Sequence, residues 1–257
     1  MVMLSFDTEE FDVPLEHGVD FAIEKQMTVS IFGINKILDI LKTKGIVATF
    51  FTTANFAERA PEVMQRIVAE GHEVACHSYN HWTYEEGDLE RARRRLQDIT
   101  GQPISGFRMP RMMPVSDEEI ERLGFTYNSS LNPCFIPGRY MHLTTPRTHF
   151  MKGSVHQIPA SVSPCLRLPL FWLSAHNFPQ RLYHALCRRT WRHDGYFNTY
   201  FHPWEFYPLG EHPELKMPFI IRHNAGEGMC RRLAALIDMF SAEGAQFITY
   251  SQFVAQL

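Results

Sequence analysis

Four short stretches of this chain gather residue types that can bind an ion or move a proton: Asp7-Thr8-Glu9-Glu10, Cys76-His77-Ser78-Tyr79-Asn80-His81, Arg108-Met109-Pro110-Arg111 and Tyr200-Phe201-His202-Pro203-Trp204-Glu205. Side chains alternate along an extended backbone, so Asp7 and Glu9 share one side and Thr8 takes the other. His77 and His81, four residues apart, converge on one ion if their segment takes a helical turn. Pro203 forces an extended residue before it and ends a strand at His202. Each stretch alone has a plainer reading: acid pairs after a strand are commonly solvated, a His-x-x-x-His pair arises by chance among 13 His, and Arg and aromatic residues pair or pack. Brought to one place, they make a water-activating metal site with an acid and a base.

The elements that must position them alternate strand and helix. Strands are expected at Val2–Phe6, Val47–Phe51, Glu73–Cys76, Ile104–Phe107, Phe125–Tyr127, Tyr196–Phe201 and Phe247–Tyr250. Between them, Ser30 reads as the cap of a helix ended by Gly45, Pro61 opens a second closed by Gly71, and Asp88–Ile99 forms an Arg-rich third. Ser116 caps a fourth helix ending at Gly124, and Gly228–Phe240 gives an amphipathic fifth. Residues 131–180 read as Pro-rich and irregular. Strands separated by helices imply a parallel sheet with crossovers, and this many units favour one α/β unit over 1–257, a (β/α) barrel of about seven strands. All four chemical stretches fall at strand exits, where such folds collect their functional groups.

Composition permits this reading. The 257 residues are 45% apolar and 21% charged, which excludes disordered and collagen-like classes. The opening MVMLSFDTEE lacks a basic segment and a long apolar run, so neither a signal peptide nor a membrane span is expected and the location read from it is cytoplasmic. Five scattered Cys without a CxxC pair predict free thiols. Net charge is −3, but Arg122–His193 holds nine cations (122, 139, 147, 152, 167, 181, 188, 189 and 192) and no acid, leaving −12 on the other 185 residues.

The order Phe6-Asp7, His77-Ser78-x-x-His81, Gly106-Phe107-Arg108-x-Pro110 and a late strand ending at His202 resembles the polysaccharide deacetylase (NodB homology) family, carbohydrate esterase family 4. The resemblance extends to Ala48-Thr49-Phe50-Phe51 and Gly71-His72-Glu73 and covers nearly the whole chain. It implies a distorted (β/α) barrel, a divalent metal and hydrolysis of an N-acyl group. Carried over, His77 and His81 are metal ligands, Asp7 the general base, Arg108 the partner that orients Asp7, and His202 the general acid. Members usually have Asp where Thr8 stands; relatives with Asp-x-Glu imply Glu9 as the carboxylate ligand, with Glu10 and Asp7 as the alternatives. The His-Pro-Trp-Glu ending is similar to a branch found with bacterial cell-surface polysaccharide synthesis.

The implied activity is removal of an N-acetyl group from an N-acetylated amino sugar. Zinc is the first expectation, and cobalt, nickel, manganese or iron also suit two imidazoles and a carboxylate. Opening of a cyclic imide or ureide, deformylation, and sugar binding without turnover stand as alternatives. The cationic segment suggests a phosphate-bearing or lipid-linked sugar if it faces a partner, or pairing with distant acids if it does not. The negative total speaks against nucleic acid. A helix over Gln180–His193, following Leu168–Leu173, is a weaker candidate for membrane-surface contact, since an outer barrel helix reads the same way.

Overall fold

The computed structural model describes residues 1–136 and 140–257, so Arg139 of the cationic set lies outside the described residues. The strands among them are β1 (Val2–Thr8), β2 (Thr49–Thr52), β3 (Glu73–Cys76), β4 (Gly106–Phe107), β5 (Tyr127–Asn128), β6 (Phe135–Ile136), β7 (Tyr140–Met141), β8 (Phe150–Lys152), β9 (Val155–Gln157) and β10 (Phe197–Phe201). One sheet runs β10-β1-β2-β3-β4-β5-β9-β8, parallel throughout except for β8 against β9, while β6 and β7 pair antiparallel by themselves. Its seven mutually parallel strands match the expected number. The sheet curls into a distorted barrel whose seam between β9 and β10 is bridged by Ser161 N donating to Asn198 O (3.2 Å) and Asn198 Nδ2 donating to Pro159 O (2.9 Å).

Alternation along β1 separates two apolar layers. Val2, Leu4 and Phe6 pack outward against the helices, whereas Met3 joins Phe51, Ala75, Tyr127, Ile158 and Tyr250 inside the barrel. Each fully buried side chain of this size contributes about 1.5–3 kcal/mol. Asp7 continues the inward set, two residues beyond Ser5, whose Oγ lies 3.5 Å from Tyr250 Oη.

Three expectations are corrected. The first long helix runs Ile23–Lys44, so Ser30 is a buried interior residue and not its cap; the apolar pattern continues back through Met27 and Ile23 and outweighs the local cap signal. Gly45 ends it at φ 65 as expected. Gly33 lets this helix lie directly on the turn after β10, because a β-carbon there would overlap the Pro203 carbonyl. Phe247–Tyr250 is not a strand: Phe247 makes a single bridge to Val2, and Thr249 caps a helix at Tyr250–Val254 by accepting from Gln252 N (3.2 Å) while the Gln252 side chain accepts from Thr249 N (3.0 Å). Residues 131–180 are also not irregular throughout, for they carry β6 to β9 and a helix at Trp172–Asn177.

Candidate active site

All four stretches meet at the C-terminal ends of the parallel strands. Asp7 is the last residue but one of β1, His77 follows β3, Arg108 follows β4 and His202 follows β10. A cleft of about 220 Å³ opens there, lined by Asp7, Glu9, His81, Arg111, Tyr140, Trp172, Tyr200, His202 and Trp204, with Glu16, His17 and several apolar residues completing its wall.

Glu9, His77 and His81 offer ligand atoms that all lie within 4.8 Å of one another, and all three residues are buried. Glu9 Oε2 is 3.2 Å from His77 Nε2 and 3.1 Å from His81 Nε2. The helical turn expected over 77–81 does not form; the segment is a loop with Ser78 at φ 64, and the two rings come to 6.0 Å at an interplanar angle of 24°. Outer partners fix both imidazoles. His77 Nδ1 donates to the Arg108 carbonyl (2.7 Å), and His81 Nδ1 to Asp12 Oδ2 (2.7 Å), leaving both Nε2 atoms toward Glu9. Glu10 turns away, accepting from Thr53 Oγ1 (2.9 Å) and from Asn55, so of the three carboxylates considered it is Glu9 that joins the imidazoles.

Burial raises Glu9 well above the ordinary carboxylate value, against the opposing charge of His81. For His81, burial lowers the value, but Glu9 and Asp12 outweigh it and raise the imidazole. Burial lowers His77. Protonation is thus favoured on Glu9 and His81, two donors that aim at a common point. The set fits a divalent cation, which would replace those protons with charge of the same sign.

Asp7 belongs to a second, adjoining group. Its Oδ1 accepts from Arg108, a fully buried guanidinium that also donates to Ser129 O (3.1 Å), Ser129 Oγ (3.0 Å) and Tyr250 Oη (3.1 Å). Arg108 lies over the ring of Phe51 at 3.9 Å. Burial would raise Asp7, but Arg108, His77 and His202 together hold it below its usual value. His202 Nε2 faces Asp7 Oδ2 at 3.9 Å, and its ring stacks on Trp204 at 4.9 Å. Sequence reasoning missed Asp12, Ser129, Tyr250 and Glu205 as supports of these groups. Asp12 and Glu205 were signalled only as acids beside motif residues; nothing local marks Ser129 or Tyr250.

Five of the nine cations of the 122–193 segment are engaged within the fold. Arg147 pairs with Asp194, Lys152 with Asp117 (2.6 Å), and Arg188 and Arg192 both with Glu243. Arg167 donates to three backbone carbonyls, those of Pro133, His142 and Thr145. The helix Gln180–Asp194 buries Tyr183, Cys187 and Thr190, and no described helix is long and apolar enough to cross a membrane. All five Cys are free, with Cys165 exposed.

The chain is thus a curled α/β barrel with a candidate metal centre at the mouth of its strands. Residues 32–127 match the family model described as polysaccharide deacetylase, the family that the motif order resembles. That segment includes His77, His81 and Arg108; Asp7, Glu9 and His202 lie outside it. The chain is 31% identical over 108 residues to a peptidoglycan deacetylase of Helicobacter pylori, covering 38% of this chain and 37% of that protein. It is 36% identical over 77 residues to a chitooligosaccharide deacetylase of Sinorhizobium fredii, covering 30% of this chain and 33% of that one. The chain therefore spans about a third of the length of these curated relatives. A crystal structure from Mycobacterium smegmatis, ascribed to the polysaccharide deacetylases, shares the fold at a TM-score of 0.67 and 20% identity, over 99% of this chain and 88% of that one.

Proposed function

We propose that this chain is a metal-dependent N-deacetylase acting on an N-acetylated amino sugar in bacterial cell-surface polysaccharide metabolism. The observation that carries the reading is the junction of two groups in one cleft: the Glu9, His77, His81 donor set beside the Arg108-held Asp7, with His202 across from Asp7. An amide is a poor electrophile and an amine a poor leaving group, so its hydrolysis needs an activated water, a polarised carbonyl and a delivered proton. Glu9, His77 and His81 would hold the ion, zinc in the first place and cobalt, nickel, manganese or iron by the same donor chemistry. When bound, such an ion supplies Lewis acidity and lowers the pKa of a water toward about 7.

The chain's own residues do the rest. Arg108 keeps Asp7 ionised and oriented, so Asp7 accepts the proton of the attacking water. His202, with Trp204 against its face, delivers a proton to the departing nitrogen. Each transfer contributes about 10²- to 10⁴-fold. Trp172, Tyr200 and Trp204 give the cleft aromatic walls against which the apolar face of a sugar ring packs.

Thr8 does not leave the site short of a carboxylate, since Glu9 reaches both imidazoles; this supports turnover over silent binding. The relatives named as deacetylases favour an acetamido sugar over a cyclic imide, ureide or formamide. Arg111 lines the cleft and pairs with Glu16 and Asp12, and none of the described 122–193 cations lines it, which supports a neutral sugar over a phosphate-bearing or lipid-linked one. Acetate release from acetamido sugars and chitooligosaccharides, with and without chelation and metal restoration, tests the proposal. Chelator-resistant turnover, or turnover confined to imides or formamides, would overturn it.

A further inference from the structure

Behind His202 lie two titratable side chains that the reaction above does not use. Glu205 and His176 are both 0% exposed. Glu205 Oε1 accepts from His202 N (2.6 Å) and from His202 Nδ1 (3.0 Å), while Glu205 Oε2 lies 3.2 Å from His176 Nε2. His176 belongs to the helix Trp172–Asn177, and Asn224 Nδ2 donates to its carbonyl at 2.6 Å. Both nitrogens of its ring are buried without an aligned hydrogen bond, as is Glu205 Oε2.

A carboxylate oxygen and an imidazole lone pair repel each other at this separation. The contact is sustained only with a proton inside it, carried by His176 Nε2 toward Oε2 or by Glu205 toward Nε2. The groups facing this chain of three are few. Asp7 faces His202, while Arg232 and His223 lie near His176, Arg232 donating to the carbonyls of Ala175 (2.9 Å) and Phe178 (3.1 Å). Tyr183 lies near Glu205, and the rings of Trp172, Tyr200 and Trp204 surround His202.

We infer that His176 is a positioning residue for the reaction: its Nε2–H engages Glu205 Oε2, so that Glu205 keeps Oε1 on His202 and His202 presents Nε2 to the cleft. This rests on the proposed role of His202 as the acid. Burial, with Arg232 adding to it, pushes His176 down to about 3, so its ring is neutral and carries a single proton to place. Burial pushes Glu205 up to about 7, against the bonds from His202 that hold it ionised, so this carboxylate is poised to change state when a donor is taken away. Without His176, Glu205 binds a proton more tightly. A neutral Glu205 no longer favours imidazolium at His202, and the acid loses its proton at lower pH.

The test compares His176→Phe, which keeps a planar ring but no donor, with His176→Gln, which keeps an amide donor. In the metal-loaded protein turning over an acetamido sugar, His176→Phe should lower kcat about tenfold on the alkaline side, leave KM within about twofold, and move the alkaline limb of the kcat profile down by about one pH unit. His176→Gln should restore most of the limb. Imidazole nitrogen NMR of the unsubstituted protein gives a readout independent of variant folding and of turnover: His176 should be the Nε2–H tautomer. An unmoved alkaline limb in folded His176→Phe, or an Nδ1–H tautomer at His176, overturns the inference. Absence of acetate release from every acetamido sugar instead overturns the proposed reaction, a failure the tautomer measurement tells apart.

Discussion

Replacing Arg108 by Met keeps a linear stem inside the barrel and deletes the charged head that four groups share. Asp7, the Ser129 carbonyl, Ser129 Oγ and Tyr250 Oη all lose a donor, but Ser129 Oγ still donates to Ile158 O at 2.9 Å, so the uncompensated loss centres on the Asp7 carboxylate. Breaking a buried pair on one side costs about 3–5 kcal/mol. At about 2–4 °C per kcal/mol for a chain of this size, Tm should fall by roughly 6–20 °C. The pH dependence identifies the cause. Arg108 holds Asp7 below its ordinary value, so the pair's stabilisation is present above the unfolded value of about 3.9 and is lost as pH falls through the depressed folded value. In Arg108→Met only His77 and His202 still oppose burial, the largest influence on Asp7, so the carboxyl is raised and stability is lost as pH rises past that same range. The difference between the two proteins should therefore be small in acid and widen toward neutrality. Adding Asp7→Asn to Arg108→Met should recover part of the loss, since the stranded charge is gone. Thermal unfolding reads the Tm shift, urea unfolding from pH 4 to 8 reads the gap and the recovery in the double variant, and acetate release should fall by about 10²- to 10⁴-fold. A gap independent of pH, or a double variant less stable than Arg108→Met, would refute the reasoning.

Glu9→Gln should lose bound metal, whereas Glu10→Gln, whose carboxylate serves Thr53 and Asn55, should keep it; metal analysis after gel filtration separates them. Because burial raises Glu9, the chelated protein loses stability as pH climbs past about 4.3. Chelated Glu9→Gln should thus unfold at higher temperature than the chelated parent at neutral pH, with the gap closing near pH 4. Asp12→Asn should weaken metal binding about 10- to 100-fold by freeing the His81 ring, as a metal-buffered titration would record. His202→Ala should remove most of kcat and spare metal content; loss of metal in that variant would place His202 among the ligands.

The fold was legible where local pattern and tertiary environment agree. Glu73–Cys76 was placed to the residue, and Pro61 and Ser116 open helices as their cap chemistry dictates. It was illegible where three-residue strands carry too little periodicity, as in Val155–Gln157, or where a cap residue sits inside a longer apolar stripe, as Ser30 does. The four stretches that form the site were each visible because their residue types are rare together. What held them was not. Ser129 and Tyr250 reach Arg108 from 21 and 142 residues away, and no local spacing encodes such a contact. The His77–His81 pair shows the limit from the other side: the spacing suggests a helical turn, yet convergence is achieved by a loop that turns at Ser78.

The charge map is likewise redrawn by contacts distant in sequence, and what remains of it bears on the site. Segregation of cations along the chain suggested an anionic partner, but Lys152 meets Asp117 and Arg188 meets Glu243 across sequence separations of 35 and 55 residues. Part of the apparent surplus is neutralised on folding. The cleft has the opposite imbalance. Asp7 has Arg108, and Asp12 shares Arg111 with Glu16, but Glu9 has for its partners two imidazoles, one of which burial disfavours as a cation. A buried carboxylate so placed costs the fold stability in proportion to its ionisation. A divalent cation offsets that cost, so the geometry that weakens the metal-free chain strengthens its hold on the ion.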